Sequence, residues 1–146
     1  MIEASILVVD DDDDILLSAR LFLKMHFSQV ITCKSPKELN VLLRRNEVDL
    51  ILLDMNYQKG ASDGREGLYW LDHILSIDQE HIVILMTAYG SVELAVQAIK
   101  KGATDFILKP WENEKLFATL SAASRLKHSN KKVKKLEKIS SSLEKD

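Results

Sequence analysis

Cysteine is almost absent from this 146-residue chain: Cys33 stands alone, which excludes an intramolecular disulfide and any cysteine-rich zinc site. No apolar run approaches the roughly 20 residues that a membrane span needs. The amino terminus opens on a strand-like run and lacks the basic stretch of a secretory signal. Together these absences point to the cytoplasm. There is no internal repeat and no room for a second globular unit. Hydrophobic residues at 46% and charged residues at 29% describe a soluble globular chain, well away from the disordered class. Net charge is only −2, but it is unevenly spread: residues 1–124 hold 12 Lys/Arg against 19 Asp/Glu, whereas residues 125–138 hold seven against one. Such a basic tail is either a nucleic-acid arm or, more commonly, a solvated helix surface.

Five short apolar runs recur along the chain: Ile6–Val9, Val30–Cys33, Val48–Leu53, Ile82–Met86 and Asp105–Leu108. Four are rich in Val, Ile or Leu without polar alternation, as in strands of a parallel sheet buried on both faces. Helical stripes lie between and after them: Ile15, Ala19, Phe22 and Leu23; then Leu39, Leu42 and Leu43; then Leu68, Leu71 and Leu75; then Val92, Ala95, Val96 and Ile99; and finally Leu116, Leu120 and Ala123. Ser35-Pro36-Lys37-Glu38 has the form of a capping box with proline at the first helical position. Gly102 stands where a left-handed residue closes the fourth helix. Strand then helix, five times over, predicts a doubly wound α/β domain over residues 1–124. Residues 125–146 read as a basic helical extension or linker, with a disordered end over 140–146. Leu126, Val133, Leu136 and Leu143 fit heptad positions there, but Ser129 and Ser140 interrupt them, so a pairing helix and a frayed tail both stay open.

In open parallel sheets, ligands bind beyond the carboxyl ends of the strands. There the first run delivers Asp10 and Asp11, the third Asp54, the fourth Thr87, and the fifth Lys109 followed by Pro110. Carboxylates so gathered repel one another and are tolerable only with a cation, a raised pKa, or both. Hard oxygens of this kind select Mg²⁺. A metal, a lysine and a hydroxyl around one aspartate make a phosphoryl-transfer constellation. Each residue alone has an ordinary explanation: a strand-end Asp or Thr caps the next helix, and a Lys-Pro makes a turn. Their joint occurrence in this order carries the functional reading.

The stretches ILVVDDDDDI (6–15), DLILLDMN (49–56) and VILMTAYGSVELAVQAIKKGATDFILKPWENEKL (82–116) resemble the receiver domains of two-component response regulators over about residues 4–125. They are most similar to the amino-terminal receivers of NtrC-like, sigma-54-dependent activators. The resemblance implies a flavodoxin-like sheet of order 2-1-3-4-5 with helices on both faces. It implies that Asp54 accepts a phosphoryl group from a sensor histidine kinase. Mg²⁺ would be held by Asp11, Asp54, the backbone carbonyl of Asn56 and, through water, Asp10. Thr87 takes the role of switch hydroxyl, Phe106 that of switch aromatic, and Lys109 contacts the phosphoryl oxygens; the Lys109–Pro110 bond is expected to be cis. The output is a change of the face formed by residues 88–104 and 111–125, with homodimerisation through that face or the carboxy-terminal helix. DNA would be reached only through an output domain, the chain then being the front of a longer regulator, and no membrane is involved. No separate substrate turnover is expected beyond slow autodephosphorylation.

The family commonly has a proline four residues after the phosphoacceptor, where this chain has Gln58. Residues 57–67 read as an insertion, either a surface loop or a partner-specific lip. Two other functions compete. An aspartate-nucleophile phosphatase of the haloacid-dehalogenase type would use Asp10 and Asp12, but leaves Asp54 unexplained. A non-catalytic receiver-like module would use the basic tail on nucleic acid. A calcium loop over residues 10–14 lacks its glycine and distal glutamate.

Overall fold

A computed structural model describes residues 1–55, 65–88 and 92–144 of the chain. The strands are β1 (Ile2–Val9), β2 (Phe27–Cys33), β3 (Leu50–Asp54), β4 (Ile82–Ala88) and β5 (Asp105–Lys109). They pair in parallel in the order β2-β1-β3-β4-β5, as the family resemblance implies. The helices are α1 (Asp13–Leu23), α2 (Leu39–Arg45), α3 (Arg65–Ile77), α4 (Val92–Lys101) and α5 (Asn113–Glu144).

Strand alternation sends successive side chains to opposite faces, and this sorts the core into two layers. Ile6 and Val8 of β1, Leu50 and Leu52 of β3, and Ile82, Ile84 and Met86 of β4 face α1 and α5, meeting Leu16, Ala19, Leu23, Leu116 and Leu120. Leu7, Val9, Ile51, Leu53, Val83 and Leu85 face the other way, toward Leu39, Leu71, Ile74 and Ala98 of α2, α3 and α4. Fully burying each such aliphatic side chain contributes about 1.5–3 kcal/mol. This explains why β1, β3 and β4 lack polar alternation.

Two local expectations are corrected. The residues Ser35–Glu38 form a single 3-10 turn before α2: the Ser35 hydroxyl accepts from the Lys37 N–H at 3.3 Å. Glu38 does not complete a capping box among the described residues; its carboxylate accepts from the Cys33 thiol at 3.2 Å. The second correction is α4, whose buried positions are Ala95 and Ala98, while Val92, Val96 and Ile99 are 58%, 47% and 40% exposed. Small side chains let this helix lie close to the sheet, with Leu94 partly buried beside them, and Val92, Val96 and Ile99 are left outside. Helix α5 runs to Glu144, through a segment free of glycine and proline.

Gly102 has φ +120°, closing α4 as the sequence predicts. Burial, helped by the neighbouring Glu38 carboxylate, pushes the Cys33 thiol up to about 12. Against the ordinary value of 9.0, about a thousandfold less thiolate is present at mildly alkaline pH. Iodoacetamide should therefore leave Cys33 unmodified in the folded chain and label it after denaturation; labelling at equal rates would contradict the packing described. Among the described residues, no helix is long and apolar enough to cross a membrane.

Candidate functional site

The carboxyl ends of β1, β3, β4 and β5 bring Asp10, Asp54, Thr87 and Lys109 to one rim. The register fixes this placement: Val9 pairs with Leu53, Asp54 with Met86, and Thr87 with Leu108, so the four chain ends stop at one level. Asp10 and Asp54 are 0% and 3% exposed and Thr87 is 1% exposed, whereas Asp11 lies open to solvent.

Lys109 closes the cluster. Its Nζ lies 2.5 Å from Asp10 Oδ2 and donates to Asp54 Oδ1 at 2.9 Å. Burial alone would depress this ammonium, but the hydrogen bonds to Asp10 and Asp54 outweigh it and hold Lys109 above the ordinary lysine range. Burial also raises the Asp10 carboxyl, against the lowering effect of Lys109 and of the Asp12 N–H, which donates to Asp10 Oδ1 at 2.9 Å. The five-aspartate run thus divides by role. Asp10 and Asp11 face the site, while Asp12 caps α1, accepting from the N–H groups of Asp14 and Ile15. That assignment removes Asp12 from the pair a haloacid-dehalogenase-type phosphatase requires.

Asp10, Asp11 and Asp54 each offer an oxygen, and these atoms lie within 4.8 Å of one another. Three carboxylates meet one ammonium, and the donors are hard oxygens. Such a set fits a hard divalent cation of the Mg²⁺ kind. A second observation points the same way: Thr87 Oγ1 is buried without a hydrogen-bond partner among the described residues. An unsatisfied buried hydroxyl costs about 1–3 kcal/mol, so it marks a place where an acceptor belongs. Phe106 is partly buried, packed beside the layer formed by Leu85, Ala98 and Ala103. The Lys109–Pro110 bond is cis. Asn56 and most of the 57–67 loop lie outside the described residues.

Two features escaped the sequence reading. Gly67 in α3 sits directly against the chain just after Asp54, its N–H donating to the Met55 carbonyl at 3.1 Å. A cavity of about 860 Å³ opens beside the acidic rim between α1 and the start of α5, lined in part by Ile15, Leu21, Phe22, Met25 and Trp111. Its signal in the sequence is a surplus: Leu21 in α1 and Met25 just after it are apolar yet fall off the core stripe, and both are exposed.

A family model described as the response regulator receiver domain matches residues 6–121. The response regulator protein PilR of Pseudomonas aeruginosa is 34% identical over 125 residues, covering 84% of this chain and 26% of its own length. Among solved structures, the amino-terminal signal receiver domain of a Bacteroides fragilis two-component response regulator is 43% identical with a TM-score of 0.75, covering 84% of this chain and 97% of that one. NtrX from Brucella abortus is 30% identical with a TM-score of 0.81, covering 92% of this chain and 29% of its own. The chain therefore spans about a quarter of the length of PilR and less than a third of NtrX.

Proposed function

The chain belongs to the response regulator receiver family, and from that premise we propose that Asp54 is the group that accepts a phosphoryl from the phosphohistidine of a sensor kinase. An Asp54 carboxylate oxygen attacks phosphorus, the phosphorus–nitrogen bond breaks, and the departing imidazole nitrogen recovers a proton. The observation that carries this reading is the ammonium of Lys109 held between Asp10 and Asp54, beside the unpartnered hydroxyl of Thr87. Lys109 orients Asp54 and, after transfer, has phosphoryl oxygens to bind in exchange. A Mg²⁺ ion held by Asp11, Asp54, the Asn56 carbonyl and, through water, Asp10 would neutralise charge on the transferring group.

A phosphoryl group on Asp54 adds charge and acceptor oxygens at this rim. Thr87 gains the partner it lacks, and Phe106 moves into the space it vacates. The face of α4, β5 and the receiver-proximal part of α5 then shifts between two states, driven by their difference in affinity for the phosphoryl group. Val92, Val96 and Ile99 form an exposed apolar stripe on that face, which suits homodimerisation there or along the carboxy-terminal helix. The groove of Leu21, Met25 and Trp111 beside the rim suits the helices that present the phosphohistidine. The relatives PilR and NtrX, of whose length this chain matches less than a third, support a transcriptional output of the sigma-54 type, with DNA reached through a separate domain in the cytoplasm. It turns over no substrate other than its own phosphoryl group.

Incubation with acetyl phosphate and Mg²⁺, followed by intact mass measurement, tests the assignment. The wild-type chain should gain one phosphoryl group and the Asp54→Asn variant none. Equal uptake by both would place the acceptor elsewhere.

A further inference from the structure

Asp49 stands at the foot of β3, at the opposite end of the sheet from Asp54. It is joined to β1 by two bonds: its Oδ2 accepts the Ser5 N–H at 2.9 Å, and its own N–H donates to the Ser5 carbonyl at 2.9 Å. The carboxylate is thereby held in place, and its other oxygen, Oδ1, accepts from Lys131 of α5 at 2.7 Å. Glu47 supports the same ammonium at 3.8 Å. Close by, Asp78 Oδ1 accepts the Glu80 N–H at 2.9 Å, a local turn that presents Glu80 outward. Glu80 Oε2 pairs with Lys134 at 2.6 Å, and the Glu80 carbonyl accepts from Lys127 at 3.4 Å.

Three cations of the basic segment thus meet two acidic loops of the receiver. At about 100° per residue, Lys127, Lys131 and Lys134 share one side of α5, and Leu126, Val133, Leu136 and Leu143 share the opposite side. Those four apolar residues are 43–72% exposed. Isolated surface ion pairs contribute little. This one differs because the Asp49 side chain is 15% exposed and already anchored, and because successive helical turns engage together.

We propose that the foot of the sheet is an ionic clasp for the basic segment of α5, built from Asp49, Glu47 and Glu80 against Lys131 and Lys134. The clasp fixes the direction in which α5 leaves the receiver and turns its apolar side outward. It also engages cations that a nucleic-acid arm would need. The inference is independent of the phosphoacceptor assignment, since no residue of the clasp touches that site.

Hydrogen–deuterium exchange of the full chain tests it. In the wild type at low salt, amides of residues 125–134 should exchange more slowly than those of residues 139–144, and the difference should shrink as salt screens the pairs. Lys134→Glu should speed exchange over residues 125–134 about two- to fivefold. Within the helix alone, this change gains a pairing with Lys138 four residues on and loses one with Glu137 three residues on, so rescue by Glu80→Lys, which leaves the helix sequence untouched, is what separates the clasp from local propensity. Adding Glu80→Lys to Lys134→Glu reverses the pair and should restore protection. Exchange that ignores both salt and Lys134→Glu, or a charge swap that restores nothing, would overturn the proposal. The salt series on the unmodified chain decides the matter even if a variant folds poorly.

Discussion

Replacing Lys109 by alanine should destabilise the fold by about 3 kcal/mol at neutral pH, the usual scale for stripping one partner from a buried ion pair. The ammonium sits between two carboxylates that are 0% and 3% exposed, with the Asp11 carboxylate close by. Two unit charges about 4 Å apart repel by about 4 kcal/mol at an effective dielectric near 20, so the cluster must either take up a proton or open. Asp10 is already raised by its burial, and losing Lys109 raises it further.

The sign of the pH dependence follows. A carboxyl raised in the folded state binds protons there more readily than in the unfolded chain. Stability therefore falls as pH rises from the ordinary value through the folded one. Lys109, itself raised, contributes fully below the unfolded lysine range, and that contribution fades only as pH rises through the folded value. The gap between wild type and Lys109→Ala should thus be widest at neutral pH and narrow under acid. Urea unfolding at the two pH values measures it, and coincident midpoints at neutral pH would contradict the ion cluster. Millimolar Mg²⁺ should recover more stability in the variant than in the wild type, because uncompensated carboxylates bind a cation more tightly; a hundredfold excess over Kd is worth about 2.7 kcal/mol. Phosphoryl uptake from acetyl phosphate should fall with the loss of Lys109 even where the fold is restored.

Gly67→Ala carries the second large effect. A Cβ at this position would lie 2.5 Å from Met55 Cα and 2.8 Å from the Met55 carbonyl oxygen. Both are backbone atoms, so no side-chain rotation relieves the contact. In an ordinary helix the change to alanine would stabilise by about 1 kcal/mol. Here overpacking, typically about 1–3 kcal/mol and occasionally more, should outweigh that gain and leave a net loss of about 2 kcal/mol. The displaced chain is the residue after Asp54, so slower phosphoryl uptake should accompany the lower melting temperature. Ser76→Ala, at the exposed far end of the same helix, should change neither greatly. An unchanged or raised melting temperature for Gly67→Ala would show that α3 does not abut Met55 as described.

The apolar runs and the residues that follow them, Asp10, Asp54, Thr87 and Lys109, were legible because each strand is a local pattern and a parallel crossover leaves few topologies open. The same holds for Gly102, whose position after a helical stripe is a local signal. The α4 stripe holds only in part, since Ala95 is buried while Val92, Val96 and Ile99 are exposed: periodicity identifies a helix and its apolar residues but not how closely the sheet lets it approach. Ala95 and Ala98 fit that distance better than Val92 and Val96. The glycine seat at Gly67 and the Lys131–Asp49 contact left no sequence signal at all, because each depends on chain segments brought together across the domain.

Local sequence pattern determined the five strands, their ends and the kinds of chemical group delivered to one rim, since strand burial and helix periodicity act over neighbouring residues; the order of the strands came only through the family resemblance. Tertiary structure alone decided that Lys109 reaches both Asp10 and Asp54, that Asp12 turns away to cap α1, and that the basic tail folds its lysines back on the receiver. Those outcomes depend on strand register and on distances of a few ångströms between residues far apart in the chain, where the strength of a charge or a steric contact is set.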